Sequence, residues 1–237
     1  MKKQMKLLVA AALCLSISGS VFSAQRPPPV INMAAVAWQI RYSPGMPIRP
    51  NPNPSGGSGW SFSFPTNAVG KCPAPPTQPP NYNISPCSHV DYVTTPYTRP
   101  ITAKSITVTF SIIANSPVYD YKTATNNTCV SPAKMRLLLE HYNDAALNNP
   151  VYRWWSNPLE YTLGNTNAAV IKVLLTPDQW SDVNGQLGTT DPADFTATLL
   201  RIGAIGMTFG GGCFFSHGVY LDSGSATLTV TDMTLND

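Results

Sequence analysis

Between Ser105 and Ile112 the chain alternates without a break: Ile106, Val108, Phe110 and Ile112 are apolar, and Ser105, Thr107, Thr109 and Ser111 are polar. Successive side chains of a strand point to opposite faces, so this segment predicts a strand buried on one side. From Ala133 to Tyr142 the pattern recurs. Met135, Leu137 and Leu139 take one face, and Lys134, Arg136, Leu138, Glu140 and Tyr142 the other. Ala169 to Leu175, Ala204 to Phe209 and Ser225 to Leu235 predict further strands. In the last of these, Ala226, Leu228 and Val230 alternate, and then Met233 and Leu235 fall out of phase. A one-residue slip of this kind is what a β-bulge produces.

Two connections read as short helices. Thr176-Pro177-Asp178-Gln179 has the form of a capping box with proline at the first helical position, ending at Gly185. Asp191-Pro192-Ala193-Asp194 opens the second, which runs through Phe195 to a stop near Gly203. One-sided apolar strands must cover one another. The predicted fold is therefore all-β, a two-sheet antiparallel sandwich with two short helices in its connections.

Proline divides the chain. Seventeen of the twenty-three prolines lie between Pro27 and Pro100. Residues 25–59, rich in Pro, Asn, Gly and Ser with few apolar anchors, read as a linker or tail, with a wrapped strand as the alternative. Residues 60–237 read as the sandwich domain, in which 60–100 is Pro-rich edge or cover and 101–237 the main body. Within that cover Trp60, Phe62 and Phe64 alternate like a strand, and His89 to Val93 is a further short candidate.

The first 24 residues read as a secretory signal. Lys2, Lys3 and Lys6 precede an apolar run from Leu7 to Ile17, and Val21-Phe22-Ser23-Ala24 supplies a small-residue exit. The run is shorter than the ~20 residues a membrane span needs. A secreted or periplasmic protein is expected. Without the three signal lysines, twelve basic residues balance twelve acidic ones. Such a neutral chain, with no basic run, lacks the footprint of a nucleic-acid binder.

Export also bears on the cysteines. Outside the signal they are Cys72, Cys87, Cys129 and Cys213, an even number that reads as two disulfides. Three pairings are open. The one favoured is Cys72–Cys87 closing a local Pro-rich loop, with Cys129–Cys213 joining distant parts of the domain. A metal site using Cys213 and His217 is the rival, but no C-x-x-C accompanies them.

The SITVTFSI strand, the TPDQWSDVNG turn and the closing GSATLTVTDMTL strand resemble the jelly-roll sandwiches of the galactose-binding-like class, which includes many carbohydrate-binding modules. The likeness is architectural and covers roughly Ile101 to Asp237. It implies sugar binding, in some members with a structural calcium ion and otherwise no cofactor. It transfers no ligand residue.

Candidate ligand residues come from the chain itself. Tyr152-Arg153-Trp154-Trp155 carries flat rings on which the C–H faces of sugars stack, beside an arginine that bonds hydroxyls. Adjacent strand residues face opposite ways, so at most one tryptophan lines a given groove; the opposing reading puts one in the core and one under a loop. Arg136, Glu140 and Tyr142 share one strand face and would line a concave surface, or else a solvated face with an ion pair of little worth. His217 follows the run Gly210-Gly211-Gly212-Cys213-Phe214-Phe215, where glycines permit a tight bend more readily than a phosphate cradle. No Gly-x-Ser-x-Gly or His-Glu-x-x-His is present. The two glutamates, Glu140 and Glu160, would serve glycoside hydrolysis only if they converged across a sugar. The sequence thus favours an exported carbohydrate-binding module. An envelope assembly protein docking a partner through its Pro-rich segment is the alternative, and a hydrolase the third reading.

Overall fold

The computed structural model describes residues 30–42, 51–55, 59–66, 89–121, 131–144, 150–211 and 218–237. Its strands are β1 (Gln39–Tyr42), β2 (Asn53–Pro54), β3 (Trp60–Ser63), β4 (Val90–Pro96), β5 (Ser105–Tyr121), β6 (Ala133–His141), β7 (Arg153–Ser156), β8 (Tyr161–Thr162), β9 (Thr166–Leu174), β10 (Trp180–Ser181), β11 (Ile202–Gly211) and β12 (Val219–Asn236). The α-helix α1 (Pro192–Leu200) precedes β11.

All strand pairings are antiparallel and arrange themselves in two layers. The front layer runs β10-β7-β6-β11-β4-β1, with β8 also paired to β6. The back layer runs β9-β5-β12-β3-β2. Between them lies one apolar core. Phe209 of the front layer meets Phe62 and Phe64 of the back edge-on, at 5.8 and 5.5 Å, and Phe110 meets Tyr161 at 4.9 Å. This is the all-β sandwich that alternation predicts. Ile106, Val108, Phe110 and Ile112 are the inward residues of β5, as their phase requires.

The layers join at a corner. Val219 pairs with Tyr121 of β5 and with Val90 of β4, so the start of β12 belongs to both. Register shifts on either side of Ser223 bend β12 toward that corner. There Gly224 takes φ +79° opposite Ser116 at φ 44°, and a Cβ on Gly224 would lie 2.2 Å from the Ser116 carbonyl oxygen. Gly224→Ala should therefore cost about 1–3 kcal/mol. It should lower the urea midpoint and leave the m-value unchanged; an unmoved midpoint would show that the bend does not need a left-handed residue. A third register shift of β12 falls between Val230 and Asp232, where the apolar phase slips.

Three expectations change. Residues 25–59 are not simply a linker: β1 and β2 lie within them, and Trp38 and Ile40 enter the core. Trp38 packs on Trp60 at 4.7 Å, so a few large anchors outweigh the Pro- and Asn-rich surroundings. The expected cover includes β4, which is paired on both sides, with Pro96 at its end. The capping-box helix shrinks to a single 3₁₀ turn, Pro177–Gln179, whose Thr176 side chain makes no cap bond. The chain then extends as β10, because Trp180 is fully buried and its Nε1 donates to the Leu174 carbonyl at 2.8 Å. The other helix forms where predicted, with Asp191 as N-cap accepting from the Asp194 amide.

Candidate binding site

The outward face of the front layer follows from strand register. One row across it holds Trp155, Leu138, Gly206, Thr94 and Gln39. The row to one side holds Arg136, Thr208, Tyr92 and Arg41; the row to the other holds Arg153, Glu140, Ala204 and Pro96. The sequence predicts this side of β6 to be solvated or concave. It is in large part buried. Leu138, Trp155 and Tyr92 form a second, small apolar cluster here, and Arg136 and Glu140 are 2% and 5% exposed.

Charges persist in this setting because they are paired. Glu160 accepts from both Lys134 and Arg136. Arg153 Nε lies 2.8 Å from Asp144 Oδ2. Glu140 lies 3.6 Å from Nη1 of Arg41, a residue three strands away. Three inter-strand steps span about 14 Å, so the Arg41 side chain must reach across the sheet. Ala204 on β11 is small and lines a trench together with Arg41.

That trench opens as a cleft of about 160 Å³. Thr94, Gly203 and Ala204 contribute to its lining, with Gln39, Arg41 and Pro96 from one flank and Glu140 and Tyr142 from the other. A Cβ on Gly203 would fall 2.4 Å from the Tyr142 Cα, so a bare glycine is what lets the end of β6 approach β11. The approach sets Tyr142 at the rim with its side chain 53% exposed. Its ring lies 5.0 Å from that of His141, which stacks on Tyr152 at 4.4 Å. An exposed flat ring is thus backed by two others.

Burial sets the ionisation of the cleft. It pushes the Glu140 carboxyl above the usual range, with Arg41 and Arg153 opposing and Asp144 reinforcing the shift. Burial, with Arg201 nearby, lowers the His141 pKa against the pull of Asp144, so this imidazole is neutral at pH 7.

Of the residues singled out from sequence, Glu140 and Tyr142 come together in the cleft, and Arg136 and Arg153 lie on the same sheet face beside it. Trp154 and Trp155 do face opposite ways, but both are buried, at 1% and 0% exposure, and neither offers a ring to a ligand. Trp154 sits under α1, with Nε1 donating to Thr198 Oγ1 at 3.1 Å; Trp155 belongs to the outer apolar cluster. His217 and all four cysteines of the expected disulfides lie outside the described residues. Among the described residues no group of three or more His, Cys, Asp or Glu side chains is arranged to hold a metal ion, calcium included. Glu160 is tied to Lys134 and Arg136, toward the opposite end of β6 from Glu140, so the two glutamates do not face a common sugar. Nor, among the described residues, is any helix long and apolar enough to cross a membrane.

Sequence reasoning passed over Gln39 and Arg41. Their signal was present: Trp38 and Ile40 alternate with Gln39 and Arg41 within the Pro-rich stretch.

No protein-family model and no curated protein matches the sequence. Two solved structures resemble the fold. One is a xylanase from Cellvibrio japonicus in complex with xylopentaose, at 13% identity and TM-score 0.42, matched over 87% of this chain and 28% of that one. The other is the xylan-binding module CBM15, at 12% identity and TM-score 0.41, matched over 87% of this chain and 99% of the module. At these identities and TM-scores the likeness is distant and assigns neither a family nor a function.

Proposed function

We propose that this chain is an exported carbohydrate-binding module that holds a sugar in the cleft between β1 and the end of β6. The observation that carries the reading is the half-exposed Tyr142 ring beside an open trench lined by Gln39, Arg41 and Glu140. A pyranose has an apolar C–H face and a rim of hydroxyls. A flat ring receives the first, and planar amide, guanidinium and carboxyl groups bond the second. Concave sites with a few placed polar groups are the usual form of small-ligand recognition.

Tyr142→Ala should weaken oligosaccharide binding about ten- to thirtyfold, the loss of one aromatic anchor. Stability should change by no more than about 0.5 kcal/mol, because the side chain is exposed. A glycan array identifies the sugar, and titration calorimetry with a thermal melt reads both quantities. Folded protein that retains no glycan, or a Tyr142→Ala variant that binds as tightly as the parent, would overturn the reading. A blank array would turn attention to an envelope protein as partner.

A further inference from the structure

We propose that the ligand of this cleft carries a carboxylate, that of a uronic-acid residue, and that Arg41 receives it. The inference rests on the carbohydrate reading and narrows it to acidic glycans.

The argument starts from Arg41, whose side chain is 25% exposed. A guanidinium has five N–H donors and bonds a carboxylate best through two of them at once. Among the described residues Arg41 has no such partner. Its contact with Glu140 is 3.6 Å, beyond the 2.7–3.2 Å of an N–H···O bond. Its Nε is buried and makes no hydrogen bond among the described residues. Two carboxylates lie nearby, Glu140 and Asp144. Asp144 is committed to Arg153, and Glu140 is held where burial disfavours its charged form. The cation is the under-satisfied member of the site.

The charges around the cleft agree. Arg41, Arg153 and Arg201 act on it from β1, β7 and the end of α1, against Glu140 and Asp144, while His141 stays neutral. Among the described residues one positive charge is left over, and more where Glu140 is protonated. A carboxylate brought by a ligand supplies what Glu140 does not. It arrives through the open side of the trench, and its two oxygens match the guanidinium fork. In a uronic acid the carboxyl projects from the rim of the ring, so a sugar stacked on Tyr142 directs it sideways into the trench rather than against the ring.

Calorimetry on the full mature chain tests this, with oligogalacturonides, oligoglucuronides and oligomannuronides compared with their carboxyl-reduced counterparts. One acidic series should bind at least tenfold more tightly than its reduced form, and the difference should shrink with added salt. Arg41→Gln should abolish the difference. Glu140→Gln, which removes the competing carboxylate at constant shape, should widen it. Equal affinity for acidic and reduced sugars, with binding still lost in Tyr142→Ala, would overturn the acidic-ligand inference and leave the carbohydrate reading standing. A difference that survives Arg41→Gln in folded protein would also overturn it. No binding of either series would overturn both.

Discussion

Trp154→Ala is expected to destabilise the protein by about 3–5 kcal/mol, the range for emptying a buried tryptophan site. For a domain of this size each kcal/mol lowers the melting temperature by about 2–4 °C, so the loss should be roughly 6–20 °C. The side chain is 1% exposed, meets Phe195 edge-on at 5.3 Å, and donates from Nε1 to Thr198 Oγ1. Phe195 and Thr198 are the buried residues of α1, so truncation removes what seats the helix on the front layer. Trp154→Phe keeps a ring against Phe195 and gives up the hydrogen bond, so it should cost distinctly less. A melting temperature within 2 °C of the parent for Trp154→Ala would show that α1 is held by other contacts. The result also guards the functional test: weakened glycan retention by Trp154→Ala would report damage to the fold, whereas the same loss in Tyr142→Ala would report the ligand.

The contrast between these aromatics shows what alternation can and cannot reveal. A period of two states which side chains share a face, and it placed β5, β6, β11 and β12 with their inward residues, together with the slip after Val230. It does not state what covers the other face. Arg136 and Glu140 looked solvent-facing or ligand-facing because polar residues alternate with apolar ones in β6, and Trp155 because its flat ring suits a sugar. They are buried because ion pairs and a small apolar cluster make burial tolerable there. Composition misled in a different way. The prolines and asparagines of residues 25–59 hid a five-residue alternation, Trp38 to Tyr42, that builds β1 and brings Arg41 to the cleft. At Thr176 the local capping signal lost to a distant demand, the burial of Trp180. The cleft itself depends on a register across β6, β11, β4 and β1, and no single segment carries that information.

The paired charges beside the cleft should respond asymmetrically to substitution. Glu160→Gln is expected to cost about 3 kcal/mol, the lower end of the range for breaking a buried ion pair by removing one partner. Arg136 has 2% of its side chain exposed, and a guanidinium cannot shed its proton to escape burial, so losing the carboxylate leaves a charge poorly compensated. Arg136→Met removes the buried charge itself. Glu160, with 22% of its side chain exposed, then keeps Lys134 and gains water. That variant should cost about 1 kcal/mol, because methionine fills much of the vacated volume and adds no unpaired group. Combining the two should cost about 2 kcal/mol rather than the sum of about 4, since the cation that Glu160 balances is gone. Urea denaturation of the parent, both single variants and the double variant closes the cycle, with a coupling of about 2 kcal/mol expected. If Arg136→Met proved the more damaging single change, the guanidinium would be holding this face together through bonds other than the one to Glu160.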